Sequence, residues 1–427
     1  MSPDVRHLSD YHFLTLGADT LENPYEFFSR LRREAPVFRE PDFGAYLISR
    51  YDDVVRVSKS TDTFSAIAAA SGPFMPLPAA VDDIVEYRAT HPESDKVFTN
   101  DPPDHARYRH LVTRLFTPSR IAQLEGRLRN WAQSLVQDLL SAERVEFVSR
   151  FSNVFPLLVV SDFLGVPEAE AQRFADHFSA EFANMDQSYI GNPNGLDVPV
   201  FEPDTMLIDY FSTEIAKRRK DPSDDILSTL ANLTFRDGTE VPAHEIVKIC
   251  VVLYEAGGQS NTPQLLTNGM QILTENPAIA QELRADLSLV PAFVEETLRF
   301  DTSALGLFRA AREDTTLHGV AIGKGEIVMM LYGSANHDEQ YFEAPDTFRL
   351  DRQDTRVLSF GQGVHTCPGA PLARLEARIA FEELLRHTSD IRSLQAPSSR
   401  EYLASCILRS PRELPLHLTA ATNAIGV

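Results

Sequence analysis

Apolar residues recur at intervals of three and four over most of the chain, the spacing of one face of an α-helix. "RIAQLEGRLRNWAQSLVQDLL" keeps it throughout. "NPYEFFSRLRREAPVF" predicts a helix from Pro24 to about Glu34, stopped by Pro36. "AYLISRYDDVVRVSKS" predicts a strand and then a short helix. "EAEAQRFADHFSAEFANM" and "FEPDTMLIDYFSTEIAKRRK" predict helices around a Gly/Pro/Asn-rich link, which suits either a lid or a plain surface connection. The longest helical stretch is Ala243–Glu275, roughly 50 Å at 1.5 Å per residue. Gly257, Gly258 and Pro263 predict a kink or bulge inside it, where something approaches the backbone. Period-two alternation is confined to short stretches. "TTLHGVAIGKGEIVMMLYGSAN" predicts a hairpin turning at Gly323–Gly325, and "PGAPLARLEARIAFEELLRHT" a last long helix. Phe64–Asn100 is an alanine- and proline-rich loop, too long to be idle in a compact domain. The fold class is therefore mainly α with a minor β portion. No linker composition interrupts it, so residues 1–427 read as a single domain.

Composition changes this picture little. With 40 basic and 61 acidic residues the net charge is -21, which argues against non-specific nucleic-acid binding. No apolar run is long enough to cross a bilayer, and the first residues lack a signal-peptide layout, so we expect a cytoplasmic protein with no membrane association. The three cysteines, Cys250, Cys367 and Cys406, are far apart, which excludes a disulfide framework or a zinc cage and fits a reducing compartment.

One cysteine stands out. Phe360 to Gly369 reads F-G-Q-G-V-H-T-C-P-G. Gly361 and Gly363 allow backbone angles that other residues avoid. Pro368 and Gly369 mark a helix start, so Cys367 lies where backbone N–H groups stabilise an anion, as a metal-binding thiolate requires. The stretch resembles the haem-binding pattern F-G-x-G-x-[HR]-x-C-x-G of the cytochrome P450 family, with every fixed position met. The resemblance implies a P450-like helical domain with small β-sheets. It makes Leu358–Gly369 the haem-ligand loop, Cys367 the thiolate ligand of the iron of haem b, and Phe360 and Gly361 part of the loop under the porphyrin. His365 would face a haem propionate.

The resemblance extends along nearly the whole chain. Glu296-Thr297-Leu298-Arg299 matches the family's E-x-x-R, a buried pair that braces the haem core. His105 and Arg109, four apart on one helix face, match its propionate-binding helix, and Arg309 its propionate arginine. The broken central helix corresponds to [AG]-G-x-[DE]-T, whose acid and hydroxyl support proton delivery to dioxygen. Counting from Ala256 places Gln259 at the acid and Ser260 at the threonine. Counting from Gly257 places Ser260 and Asn261 there, and the downstream residues fit this register without gaps. Neither register supplies a carboxylate. Ser, Asn and Gln are not acids near neutral pH, so ordered water or Glu255 would have to carry protons. Slower or leakier dioxygen activation, and comparatively good use of peroxide, are the expectations.

By the same resemblance the pocket walls are Ile67–Leu77, Phe182–Ile190, Val252–Gly258, Ala304–Leu307 and Ser405–Leu408, mostly small or apolar side chains. A small apolar organic substrate follows, hydroxylated or O-dealkylated. The chain contains no fused reductase, which implies a ferredoxin or flavodoxin with its reductase as electron source. A peroxygenase and a non-catalytic haem-thiolate sensor are the alternatives.

Overall fold

The computed structural model describes residues 7–69, 71–74, 98–184, 205–354 and 356–422, with the backbone alone for 179–184. The ten strands among the described residues are β1 (Val37–Arg39), β2 (Tyr46–Ile48), β3 (Phe64–Ser65), β4 (Val145–Glu146), β5 (Gly306–Ala311), β6 (Thr315–Leu317), β7 (Val320–Ile322), β8 (Ile327–Leu331), β9 (Thr388–Ser393) and β10 (Pro415–Ala420). They form a five-stranded sheet in the order β1-β2-β8-β5-β3, a three-stranded sheet β4-β10-β9 and the ribbon β6-β7. The rest is mostly helix, as the three-four spacing predicts.

Two β readings need correction. The hairpin turns at His318–Gly319, not at Gly323–Gly325, pairing Leu317 with Val320. The segment after Gly325 instead joins the larger sheet, antiparallel to β5 and parallel to β2. All five residues of β8 are buried, so its side chains favour a central position over a hairpin edge. The loop expected over Phe64–Asn100 begins as a strand, because Phe64 and Ser65 pair with Ala311 and Ala310. Residues 70 and 75–97 of that loop, and the Gly/Pro/Asn-rich link of residues 186–199, lie outside the described residues.

The helices begin and end where local chemistry asks. Asn23 accepts a hydrogen bond from the Tyr25 N–H and Pro24 takes the first helical position, so Pro24–Glu34 starts as its sequence requires. Thr117 and Pro118 open Pro118–Leu140 in the same way. That helix buries Leu124, Leu128, Ala132, Val136 and Leu139 along one stripe and packs on the last long helix, Ala370–His387. Charges between the two are paired. Arg129 meets Glu382 at 2.8 Å and also bonds Glu383, which accepts from Gln133 at 3.0 Å.

Glu376, on the same final helix, is different. It is 4% exposed, and one of its carboxyl oxygens has no hydrogen-bond partner. Burial alone pushes its pKa well above the ordinary value. The unfolded carboxyl ionises near pH ~4.3. Above that value the unfolded chain has shed a proton that the folded one keeps, so folding stability falls as pH rises. Glu376→Gln is therefore expected to be neutral near pH 4 and stabilising by about 1–3 kcal/mol at pH 8. Urea denaturation at both values checks this, and an equal effect at the two would refute it.

Candidate active site

The loop before the final helix is tied down from both ends. Cys367 N–H donates to the Phe360 carbonyl at 2.8 Å and Gly361 N–H to the Leu358 carbonyl at 2.8 Å. Gly361 and Gly363 hold φ of 67° and 75°, in the left-handed region. The two glycines have different surroundings. A Cβ on Gly363 would sit 2.7 Å from the Ser58 carbonyl, so this glycine lets the loop press against the helix Tyr51–Lys59. At Gly361 the nearest atom would be the Tyr332 hydroxyl, 3.6 Å away. The ring of Phe360 lies under the Arg374 guanidinium, 4.5 Å from its centroid, and Arg374 is itself held by Glu295.

The backbone N–H groups of Gly369 and Ala370, at the start of the final helix, favour the charged form of the Cys367 sulfur. Burial pushes the thiol's pKa up, while those two donors, Arg109 and Arg374 pull it down. Four features thus favour a thiolate, and burial opposes it. A metal cation at the sulfur would tip the balance.

Next to the thiol, three separate parts of the chain bring four basic side chains together. The rings of His105 and His365 meet at a tilt of 49°, with centroids 4.1 Å apart. Arg309 is 4% exposed, and its one side-chain bond goes to the Phe308 carbonyl at 2.7 Å. Burial lowers the pKa of His105, and Arg109 and Arg309 lower it further. Burial, with Arg309, His105 and Arg109, pushes His365 down to about 3. Its Nε2 is buried without a partner. Asp101 acts on His105 and Arg309, but it already accepts from Ser65 and from the Ala66 N–H. Among the described residues no acid forms an ion pair with the four basic side chains. A carboxylate entering the cluster would meet charge-assisted donors and relieve their mutual repulsion.

Behind the loop lies a buried ionic core. Arg299, fully buried, binds Glu296 through two bonds of 2.8 Å. It also donates to the carbonyls of Asn336 at 3.0 Å and Pro345 at 2.7 Å. Asn336 in turn accepts from Leu358 N–H at 2.7 Å and donates to Ser359 at 2.9 Å, so the ion pair holds the cysteine loop through one intermediary. The sequence reading missed Arg352, whose Nε meets Glu296 at 2.9 Å. The two lie 56 positions apart, and no periodicity could pair them.

The central helix has the expected ends and the expected break. Ala243–Leu253 and Thr262–Glu275 are α-helical, and Tyr254–Asn261 between them is a π-helix. The two glycines act differently. A Cβ on Gly258 would lie 3.0 Å from Leu157 and 3.1 Å from Val160, so this glycine allows close packing on the helix Phe155–Leu164. Gly257 faces open space. The widened turn leaves the Ala256 carbonyl to side chains: Ser260 Oγ donates to it at 3.2 Å and Asn261 Nδ2 at 3.3 Å, and Asn261 also donates to Ser260 at 3.0 Å. Gln259 is half-buried in the same segment. Ser260 and Asn261 are thus neighbours bonded to one another, with no carboxylate in that set of bonds.

Of the expected pocket walls, Ala304–Leu307 and Ser405–Leu408 meet: Ala304 bridges Leu408, and Leu305 N–H donates to the Ile407 carbonyl at 2.7 Å. Residue 70, residues 75–77 and residues 185–190 of the other walls lie outside the described residues, as do the side chains of 182–184.

Comparison with known proteins agrees with this geometry. A family model described as Cytochrome P450 matches residues 78–390. Cytochrome P450 109 of Bacillus spizizenii is 30% identical over 396 residues, 93% of this chain and 92% of its own length. The solved structure of Mycobacterium marinum cytochrome P450 CYP150A6, in the substrate-free form, is 35% identical with a TM-score of 0.85, covering 94% of this chain and 97% of that one. CYP109E1 from Bacillus megaterium in complex with testosterone is 28% identical with a TM-score of 0.77, covering 92% and 99%.

Proposed function

Since this chain belongs to the cytochrome P450 family and is a P450 monooxygenase, we propose that it inserts one oxygen atom into a small apolar organic substrate, hydroxylating or O-dealkylating it. The electrons come from a ferredoxin or flavodoxin with its reductase, and the work is done in the cytoplasm. We read residues 1–427 as one domain, with residues 64–100 as the pocket loop and residues 358–369 as the haem-ligand loop. One observation carries the reading: a cysteine sulfur at the start of a helix, whose charge the Gly369 and Ala370 N–H groups favour, lies beside four basic side chains, one of them with a buried unpartnered ring nitrogen.

In this assignment Cys367 ligates the iron of haem b, and His105, Arg109, Arg309 and His365 hold its propionates. When bound, the haem supplies dioxygen activation. The chain's residues do the rest. Gly369 and Ala370 N–H groups stabilise the sulfur's charge, Arg109 serves both the sulfur and the propionates, and Phe360 shields the loop. Ser260 and Asn261 orient water on the substrate side. Small apolar walls exclude bulk water and align the substrate's C–H bond. Arg309→Met is expected to stabilise the haem-free chain by about 1–3 kcal/mol by removing a buried unpaired cation. The same change is expected to weaken haem retention about tenfold, the size of one charge-assisted bond. Melting of the haem-free protein and haem transfer to an acceptor measure the two. Opposite signs support the assignment, and a loss in both would overturn it.

Peroxide-driven oxygen transfer is a second reading. It is favoured by the absence of a carboxylate from the hydrogen bonds that link Ala256, Ser260 and Asn261, because peroxide brings its own protons. One experiment tests both. Apolar compounds, testosterone among them because a related structure holds it, are screened for a high-spin spectral shift. Those that bind are turned over with a reductase system and, in parallel, with peroxide. Oxygenated product with reductase is the expected result. Product with peroxide alone would establish the second reading, and no product in either would leave a sensor.

A further inference from the structure

Beyond the π-helix the central helix carries one polar stripe: Asn261, Gln264, Asn268, Gln271 and Glu275. Their spacing of three and four puts all five on a single face. The two ends are exposed, and the three middle members are buried, at 6%, 0% and 8% exposure. Over 14 residues the stripe spans about 21 Å. Opposite it run the segment after Arg299 and the chain around Arg409. Asn268 Nδ2 donates to the Asp301 and Arg409 carbonyls, each at 2.9 Å, and Gln271 Nε2 to the Tyr402 hydroxyl at 3.2 Å. Arg409 N–H closes the wall on the Ser303 carbonyl at 2.9 Å.

The seam is short of partners. The side-chain oxygens of Gln264, Asn268 and Gln271, the hydroxyls of Thr302 and Ser303, and Arg400 Nε are all buried without a hydrogen bond. The other end of Arg400 pairs with Glu275, where the stripe reaches solvent. Each unpartnered group in a dry interior would cost about 1–3 kcal/mol. Six together would approach the whole stability of a domain, about 5–15 kcal/mol. Water with several polar partners within reach removes that cost.

We propose that this seam is a hydrated channel, and that it carries protons from solvent at Glu275 to the π-helix at Asn261. The inference rests on the monooxygenase reading. That reaction joins a C–H substrate, dioxygen, two electrons and two protons, and yields a C–OH product and one water. The electrons come from the redox partner, and the protons need a path that Ser260 and Asn261 cannot originate. Gln264, Asn268 and Gln271 are positioning residues, acting through the water they hold.

A high-resolution crystal structure of the holoenzyme tests the first half, with ordered waters bonded to these oxygens as the expected result and a dry seam as the refutation. Gln271→Leu tests the second. It plugs the channel, and product formed per electron should fall about tenfold or more in the reductase system. The solvent deuterium isotope effect should rise. Peroxide-driven turnover and the spectrum of the reduced carbon monoxide complex should hold. Gln271→Ser leaves room for an extra water and should retain coupling. A purely structural role predicts the reverse order, since serine leaves the larger hole. Gln264→Leu repeats the test should the first variant fold poorly. Unchanged coupling in the leucine variants, or equal loss with serine, would overturn the proposal. If no substrate is turned over by either route, the monooxygenase reading fails, while the crystal structure still decides the hydration.

Discussion

Cys367→Ala is expected to abolish the red-shifted absorbance of the reduced carbon monoxide complex and to lower reductase-driven turnover more than about 1,000-fold, or about 4 kcal/mol of barrier. The sulfur is the one soft donor at the site. Gly369, Ala370, Arg109 and Arg374 all stabilise its charge, against burial that opposes it. His365, two positions away, does not offer a replacement, because its ring packs at a tilt against His105. The folded chain should survive, because a methyl in place of a half-buried thiol removes little volume, and the main-chain bond from Cys367 to Phe360 does not depend on the side chain. The check is a spectrum beside a melting curve. A retained red-shifted band in the alanine variant would remove the basis of the functional assignment.

Arg299→Leu should destabilise the protein by about 3–5 kcal/mol, the range for breaking a buried ion pair from one side. It leaves Glu296 with the Arg352 guanidinium and the Arg349 N–H, and strips donors from the Asn336 and Pro345 carbonyls. Asn336 anchors Leu358 and Ser359, so the damage should reach the cysteine loop: the thiolate spectrum should decay toward that of a ligand-free haem as well as the melting point falling. Arg299→Lys keeps the charge but cannot form both bonds to Glu296, and should fall between. Denaturant titration followed at the haem band and in the far ultraviolet separates the two effects. A loss below about 1 kcal/mol, or a loop spectrum that stays intact while global stability drops, would contradict the linkage.

Much of the molecule was legible beforehand because the signals are local. Pro24–Glu34 starts and stops where Asn23, Pro24 and Pro36 require. Gly257, Gly258 and Pro263 announced a break that is a π-helix over Tyr254–Asn261. The cysteine loop was readable because ten consecutive residues carry it. Sheet order was not: β8 looked like the return strand of a hairpin and instead sits between β2 and β5. Alternation tells which residues form a strand, not which neighbour it takes. Arg352 and Asn336 escaped for a related reason, since each acts across a contact that sequence spacing does not encode.

What the chain determined by itself is whatever follows from residues close enough to share a turn, a helix face or a cap: the helical class, the break in the central helix, the thiol at a helix start, the pairing of Glu296 with Arg299. Tertiary structure alone decided which distant groups share a low-dielectric space. It set His365 against His105 beside Arg309, tied the ion pair to the loop through Asn336, and laid a polar helix stripe against the Asp301 and Arg409 carbonyls. Burial makes such meetings consequential, because a charge or polar atom removed from water must find its partner in the protein or in what the protein binds.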